Sequence, residues 1–259
     1  MRTIILFASD LDNTLIHSYK KADSNDICVE YKDEKALSYM TPYAYKLLEK
    51  LNNRMDIVFA PLTTRSSEQY ERIKLFKDTV PELALSANGG ILYENGKKSQ
   101  NWFNESKDLI SDCYSEFEKG MDYFRDDDYV CFEIRLVDEL FVFTRSSAPL
   151  TTKIVLESIL DLNKVGVYNV GEKMYIFPNI LTKGRAVRRL KENFSFEEVI
   201  CAGDSEFDIS MLNTADCALC PEQLKEYIRS ENCISFDTEK QNFAEQILNY
   251  VLTERRGNI

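Results

Sequence analysis

The chain has 259 residues, 44% of them apolar, and a formal charge of −11 from 43 acids and 32 bases. This is enough for a real core, alone or with a smaller second domain, and it excludes the disordered and fibrous classes. The acidic balance argues against nucleic-acid binding, which needs a basic footprint, and no apolar run approaches the roughly 20 residues of a membrane helix. The N-terminal "TIILFA" carries none of the marks of a signal peptide, so a cytoplasmic protein is expected.

In chain order, the apolar run Ile4–Phe7 reads as a buried strand that ends in two acids, Asp10 and Asp12. The segment between Leu15 and Thr41 is too long for a simple strand-to-helix turn, and "ICVEY" and "ALSYM" within it suit a small paired flap. A helix follows, with Thr41 as N-cap, Pro42 at its first position and Ala44, Leu47, Leu48 and Leu51 at helical spacing. "MDIVFA" is a second buried strand, Ser66 and Gln69 form a capping-box pair for the next helix, and "LALS" (83–86) is a third strand. Strand–helix alternation of this kind predicts a parallel sheet with helices on both faces.

The middle changes character. Asn95-Gly96 is a hairpin signal, and a helix is predicted near 105–119. Two alternating strands meet at Asp138-Glu139, a helix runs from about 152 to 161, and a further hairpin turns at Gly171. Hairpins signal an antiparallel sheet, so 87–182 is expected to be an α+β unit inserted into a core of 1–86 and 183–259. Trp102 and the other aromatics of this stretch read as its core.

From Thr182 the parallel pattern resumes, with a helix, the strands "EVICAG", "CALC" and "CISF", and a last helix over about 239–253. Arg185, Arg188 and Arg189 read as a solvated face of the first of these helices. Cys217 and Cys220 form a CxxC, but there is no second CxxC, and His17 is the only histidine, so the pair reads as core filling. The fold class is therefore α/β, a Rossmann-like doubly wound core with an inserted α+β domain.

In an open parallel sheet, ligands bind beyond the carboxyl ends of the strands. The predicted strand ends deliver Asp10 and Asp12, then Thr63, Thr64 and Arg65, then Asn88 and Gly89, then Asp204 and Asp208, while Lys183 opens the helix after the insertion. Clustered carboxylates suit a hard cation, Mg²⁺ being the common choice. A cation flanked by a lysine and hydroxyls is equipment for holding a phosphate and stabilising its transfer. Of two nearby carboxylates, one attacks phosphorus and the other moves protons. Thr64, Arg65, Asn88 and Gly89 are substrate-binding candidates by position alone.

"DLDNTL", the Thr at the end of the second strand, "LTKGRAVRRL" and "GDSEFDISML" resemble, in order, the four motifs of the haloacid dehalogenase superfamily. The inserted unit is similar to the α/β cap of its Cof-type and sucrose-phosphatase-like branch. The resemblance implies that Asp10 is the nucleophile and forms an aspartyl-phosphate. It implies that Asp12 is the general acid and base, with its backbone carbonyl on Mg²⁺. Thr63 and Lys183 would hold the phosphoryl group, with Asp204 as the second carboxylate on the metal and Asp208 in or next to its shell. Phe207 stands where the branch usually has Asn, and Thr64 where it has Gly; the Leu15–Thr41 excursion is longer than usual and is expected to shape substrate entry.

The expected function is a Mg²⁺-dependent phosphatase for a small phosphorylated metabolite, a sugar phosphate being the expected class, with the cap selecting the substrate. The alternatives are a sugar phosphomutase and a catalytically weak protein that binds such metabolites. Neither nucleic acid nor membrane is an expected partner, and the oligomeric state is open, with a monomer favoured.

Overall fold

The computed structural model describes residues 4–253. They divide into two compact units, one made of the described residues up to Lys98 and from Thr182 onward, the other of Ser99–Leu181.

The first unit opens with β1 (Ile5–Ser9), buried along nearly its whole length. The excursion folds into β2 (His17–Ser18), β3 (Ile27–Lys32) and β4 (Lys35–Met40), an antiparallel sheet in the order β2-β4-β3, so the expected pairing of "ICVEY" with "ALSYM" is present. α1 (Pro42–Asn52) starts where its cap predicts: the Thr41 hydroxyl accepts from Ala44 N at 3.1 Å, and Pro42 takes a position whose N–H has no intrahelical partner. β5 (Ile57–Pro61) leads to α2 (Ser67–Glu71), whose Ser66–Gln69 capping box is formed. Then come β6 (Leu83–Ser86), β7 (Ile91–Glu94) and β8 (Lys97–Lys98).

The strand expected at 83–86 does not join the parallel sheet through a ladder. β6 pairs antiparallel with β7, and its link to β5 is the single parallel bridge Leu62–Leu85. The two-residue turn Asn95-Gly96, with φ of 49° and 78°, closes β7 onto β8 and completes a separate three-stranded sheet. Because this sheet is built on β6, residues 87–98 lie with the first unit, whereas the sequence pattern assigned them to the insertion.

The second unit contains α3 (Gln100–Leu109), α4 (Tyr114–Asp126), β9 (Arg135–Val137), β10 (Phe141–Arg145), α5 (Pro149–Ile159), β11 (Val165–Val170) and β12 (Lys173–Pro178). Its sheet is antiparallel in the order β11-β12-β10-β9, with turns at Asp138-Glu139 and Gly171, all three residues at positive φ. The single helix expected near 105–119 is two helices. The Ser111 hydroxyl donates to Asp108 O at 2.8 Å, taking the carbonyl that a continuing helix would use for Asp112. Trp102, Phe117, Phe124, Val142 and Ile176 are buried in this unit's core.

The chain returns to the first unit with α6 (Lys183–Asn193), β13 (Glu198–Ala202), α7 (Ile209–Leu212), β14 (Cys217–Pro221), β15 (Cys233–Phe236) and α8 (Phe243–Thr253). The parallel sheet runs β15-β14-β13-β1-β5, with Phe7 level with Ile200 on one side and Phe59 on the other. Phe7, Phe59, Ile200 and Leu219 pack with Leu48 and Leu51 of α1 and Ile247 and Leu248 of α8. The alternate residues Leu6, Ala8, Val199 and Cys201 are equally buried, as a sheet covered on both faces requires. Cys217 and Cys220 are buried free thiols within β14, so the CxxC is core filling. Of the arginine run, Arg188 is exposed but Arg189 is buried, so that helix face is only partly solvated. Among the described residues, no helix is long and apolar enough to cross a membrane.

Candidate active site

Asp10 follows directly on β1. Its N–H donates to Ala202 O at 2.9 Å, and Leu62 N donates to Ser9 O at 2.8 Å, so β13 and β5 clamp the end of β1 from both sides. The Asp10 carboxylate is therefore set at the carboxyl edge of the sheet, and it is nearly buried. Lys183, the first residue of α6, is 1% exposed and donates from Nζ to Asp10 Oδ1 at 2.5 Å and to Asp208 Oδ1 at 2.6 Å. α6 reaches this depth because Gly184 has no side chain: a Cβ there would stand 2.2 Å from Ser210 O. Gly89, at φ 91°, makes a similar allowance on the other side of α6, against Ala186.

Carboxylate oxygens of Asp10, Asp204 and Asp208 lie within 4.8 Å of one another. Burial raises the Asp10 pKa well above the carboxylate range; Lys183 opposes this, and Asp208, Asp12 and Asp204 add to it. Asp204 is pushed up to about 6 by burial and then by Asp208, against the Thr14 hydroxyl, which donates to its Oδ1 at 3.0 Å. Burial disfavours the Lys183 charge too, yet Asp10 and Asp208 outweigh it and raise its pKa. One lysine thus faces several carboxylates, and the cluster lacks positive charge. Its donors are all hard oxygens, so the residues fit a divalent cation such as Mg²⁺ held by Asp10 and Asp204. Asp208 is already occupied: besides Lys183, it accepts at Oδ2 from Asp204 N (3.1 Å), Ser205 N (2.9 Å) and Ser205 Oγ (2.9 Å). These bonds hold Lys183 and the 204–208 turn in place.

Asp12 has a different counter-ion. Arg65 donates from Nε to Asp12 Oδ2 at 2.7 Å and from Nη2 to Oδ1 at 2.6 Å, a two-pronged pair on a carboxyl whose side chain is 47% exposed. Asp10 and Asp12 are thus neutralised separately, one by Lys183 and the other by Arg65.

Thr63 is fully buried, and its Oγ1 accepts from Arg65 N at 3.2 Å. Asn88 N donates to Thr63 O at 2.9 Å and Ala87 N to Arg65 O at 2.7 Å, which ties the turn after β6 to the end of β5. Thr63, Thr64, Arg65, Asn88 and Gly89 are accordingly brought together, with Asn88 at φ 57°. Phe207 is half-buried in the turn before Asp208.

Several residues of the site carry no signal in the sequence. Glu30, 2% exposed, accepts from Arg65 Nη1 at 2.7 Å, from Ser38 Oγ at 2.5 Å and from Arg72 Nη2 at 3.2 Å. Burial works against its charge, but Arg65, Ser38 and Arg72 win and hold its pKa below the usual value. Nothing in "ICVEY" marks Glu30 for the site, and only the three-dimensional pairing brings it there. Thr14 and Ser205 were likewise unmarked. A cavity of about 530 Å³ opens beside Asp204 and is lined in part by His17, Lys21 and Asp26 of the excursion.

The haloacid dehalogenase-like hydrolases match residues 73–242, and the NLI interacting factor-like phosphatases match residues 3–84. Among solved structures, the chain is similar to the sucrose-phosphatase of Synechocystis sp. PCC6803, with 17% identity, a TM-score of 0.61, and 97% of this chain and 98% of that one covered. It is also similar to a trehalose-6-phosphate phosphatase related protein, with 17% identity, a TM-score of 0.59, and 97% and 99% covered. The C-terminal domain of C. albicans trehalose-6-phosphate phosphatase follows with 13% identity, a TM-score of 0.59, and 96% and 92% covered. No curated protein matches the chain by sequence.

Proposed function

Because the chain belongs to the haloacid dehalogenase-like hydrolases, we propose that it is a Mg²⁺-dependent phosphatase that hydrolyses a small phosphorylated metabolite, a sugar phosphate above all, through an aspartyl-phosphate on Asp10. The observation that carries this reading is the buried Asp10 carboxylate, bonded to Lys183 at 2.5 Å and grouped with Asp204 and Asp208 at the carboxyl edge of a parallel sheet. The sugar is suggested by the similar structures, one a sucrose-phosphatase in complex with sucrose and phosphate, another a trehalose-6-phosphate phosphatase.

In the first step, an Asp10 carboxylate oxygen forms a bond to phosphorus as the bond from phosphorus to the leaving oxygen breaks, and Asp12 gives that oxygen a proton. In the second, a water oxygen bonds to phosphorus while Asp12 takes its proton, and the Asp10–phosphorus bond breaks to release phosphate. Lys183 and Thr63 hold the phosphoryl oxygens, with Thr64, Arg65, Asn88 and Gly89 lining the same edge. Asp10, Asp204 and the Asp12 backbone carbonyl would hold Mg²⁺, which would supply charge neutralisation for the phosphate. In this reading, substrate choice falls to the second unit, which comprises Ser99–Leu181.

The test is phosphate release from a panel of sugar phosphates and para-nitrophenyl phosphate, with Mg²⁺, with EDTA, and with Asp10→Asn. Release that needs Mg²⁺ and disappears with the substitution is expected. Release that survives both EDTA and Asp10→Asn would sink the mechanism, and product analysis separates a hydrolase from a mutase.

A further inference from the structure

The excursion between β2 and α1 buries an acid that the mechanism above does not use. In β3, Glu30 follows Val29, and successive residues of a regular strand point to opposite faces. Yet Val29 is 1% exposed and Glu30 2%. The ladder with β4 is irregular at this point: Glu30 pairs with Ser38 and Tyr31 with Ala36, with register shifts on either side of Glu30. A bulge of this kind re-aims one side chain, at the expense of regular pairing.

The re-aimed carboxylate meets one end of Arg65. Glu30 Oε2 accepts from Arg65 Nη1 at 2.7 Å and from Ser38 Oγ at 2.5 Å, and Ser38 Oγ in turn accepts from Arg65 Nη2 at 3.2 Å. The Nε and Nη2 of the same guanidinium hold both oxygens of Asp12. A guanidinium is a flat, rigid fork, so fixing one edge fixes the plane and position of the other. Arg72, on Glu30 Oε1 at 3.2 Å, anchors Glu30 from its far side. The Asp12 side chain is 47% exposed, so the Arg65 fork holds a carboxyl that the surrounding core does not enclose.

We propose that Glu30 is a positioning residue for Asp12: through Arg65 it fixes where the Asp12 carboxyl stands, which makes the bulged flap part of the proton-transfer apparatus. The inference rests on the phosphatase reading, in which Asp12 protonates the leaving oxygen.

That role has a signature that a merely structural role lacks. The para-nitrophenolate group leaves without help from an acid, whereas a sugar alkoxide needs a proton. Glu30→Gln keeps the side-chain size and removes the charge that holds Arg65. For the sugar phosphate turned over fastest in the panel, kcat/KM is expected to fall about tenfold or more, a part of the roughly 10²–10⁴-fold that acid–base catalysis contributes. For para-nitrophenyl phosphate it is expected to change less than about twofold. Ser38→Ala, which removes only the hydroxyl between Glu30 and Arg65, gives the same pattern at smaller size, and Glu30→Asp recovers part of the loss. Ser38→Ala carries the test should Glu30→Gln fail to fold. Equal losses on both substrates, or no loss on either, overturn the inference. A wild-type protein that releases phosphate from neither substrate overturns the phosphatase reading itself, and the inference with it.

Discussion

Lys183 and Asp10 stand 173 positions apart in the chain and 2.5 Å apart in the fold, both almost wholly out of water. Lys183 is what favours the charge on Asp10 there, since an ionised group moved from water into the interior without a partner is costly. Replacing Lys183 with Met leaves Asp10 and Asp208 without their common cation. Folding stability in EDTA is expected to drop by about 3 kcal/mol, read from urea unfolding, with phosphate release lost. An unchanged unfolding midpoint would show that the pair contributes nothing to the fold.

Asp10→Asn is expected to behave differently. Burial and then the neighbouring acids disfavour the Asp10 charge, and Lys183 retains Asp208 at 2.6 Å after the substitution. Stability in EDTA should therefore stay within about 1–2 kcal/mol of the parent, in the range of ordinary substitutions. Activity should fall on the order of 10⁴-fold or more, as for loss of a nucleophile. The pair of results separates a catalytic loss from a folding loss.

Metal and pH should act together on stability. The folded pKa of Asp204, about 6, lies above its ordinary 3.8. Below both values the acid is protonated in either state; as pH rises between them, the folded protein keeps a proton that the unfolded chain has released. Metal-free stability should accordingly fall as pH rises from about 4 to about 6, by roughly 3 kcal/mol at most. Mg²⁺ binds the ionised form, so it should restore stability at pH 7 and do less at pH 5. Thermal unfolding with Mg²⁺ and with EDTA at both pH values checks this. A Mg²⁺ effect that is absent, or larger at pH 5, would contradict the cation site.

Gly184→Ala tests the approach of α6 to α7. The new methyl would meet Ser210 O at 2.2 Å, a backbone atom with little room to give. A loss of about 2 kcal/mol or more is expected from overpacking, together with a lower kcat as Lys183 is displaced. Parent-like unfolding and kinetics would mean that the two helices separate freely.

Much of this architecture was legible in the sequence because its causes are local. The start of α1 follows from Thr41 and Pro42, whose cap geometry involves only the first helical turn. The buried strands follow from apolar runs such as Ile5–Phe7, although Ile4 before it is exposed, and the hairpins of the second unit follow from turn residues able to adopt positive φ. Asp10, Lys183, Asp204 and Asp208 could be placed on one edge because each adjoins the end of a strand or the start of a helix. In an open parallel sheet, such ends share one edge.

What the sequence by itself determined, then, is the alternation of elements and the set of acids, hydroxyls and one lysine delivered to the sheet edge. Which partner each takes was decided by the tertiary structure. Asp12 pairs with Arg65 rather than joining Asp10, Asp204 and Asp208, and Glu30 enters the site because β3 bulges against β4. β6 zips to β7 instead of extending the parallel ladder. These outcomes depend on register and on distances between residues far apart in the chain. Residue spacing and hydrophobic periodicity specify which way a side chain faces along its own element, but not the neighbour it meets across the fold.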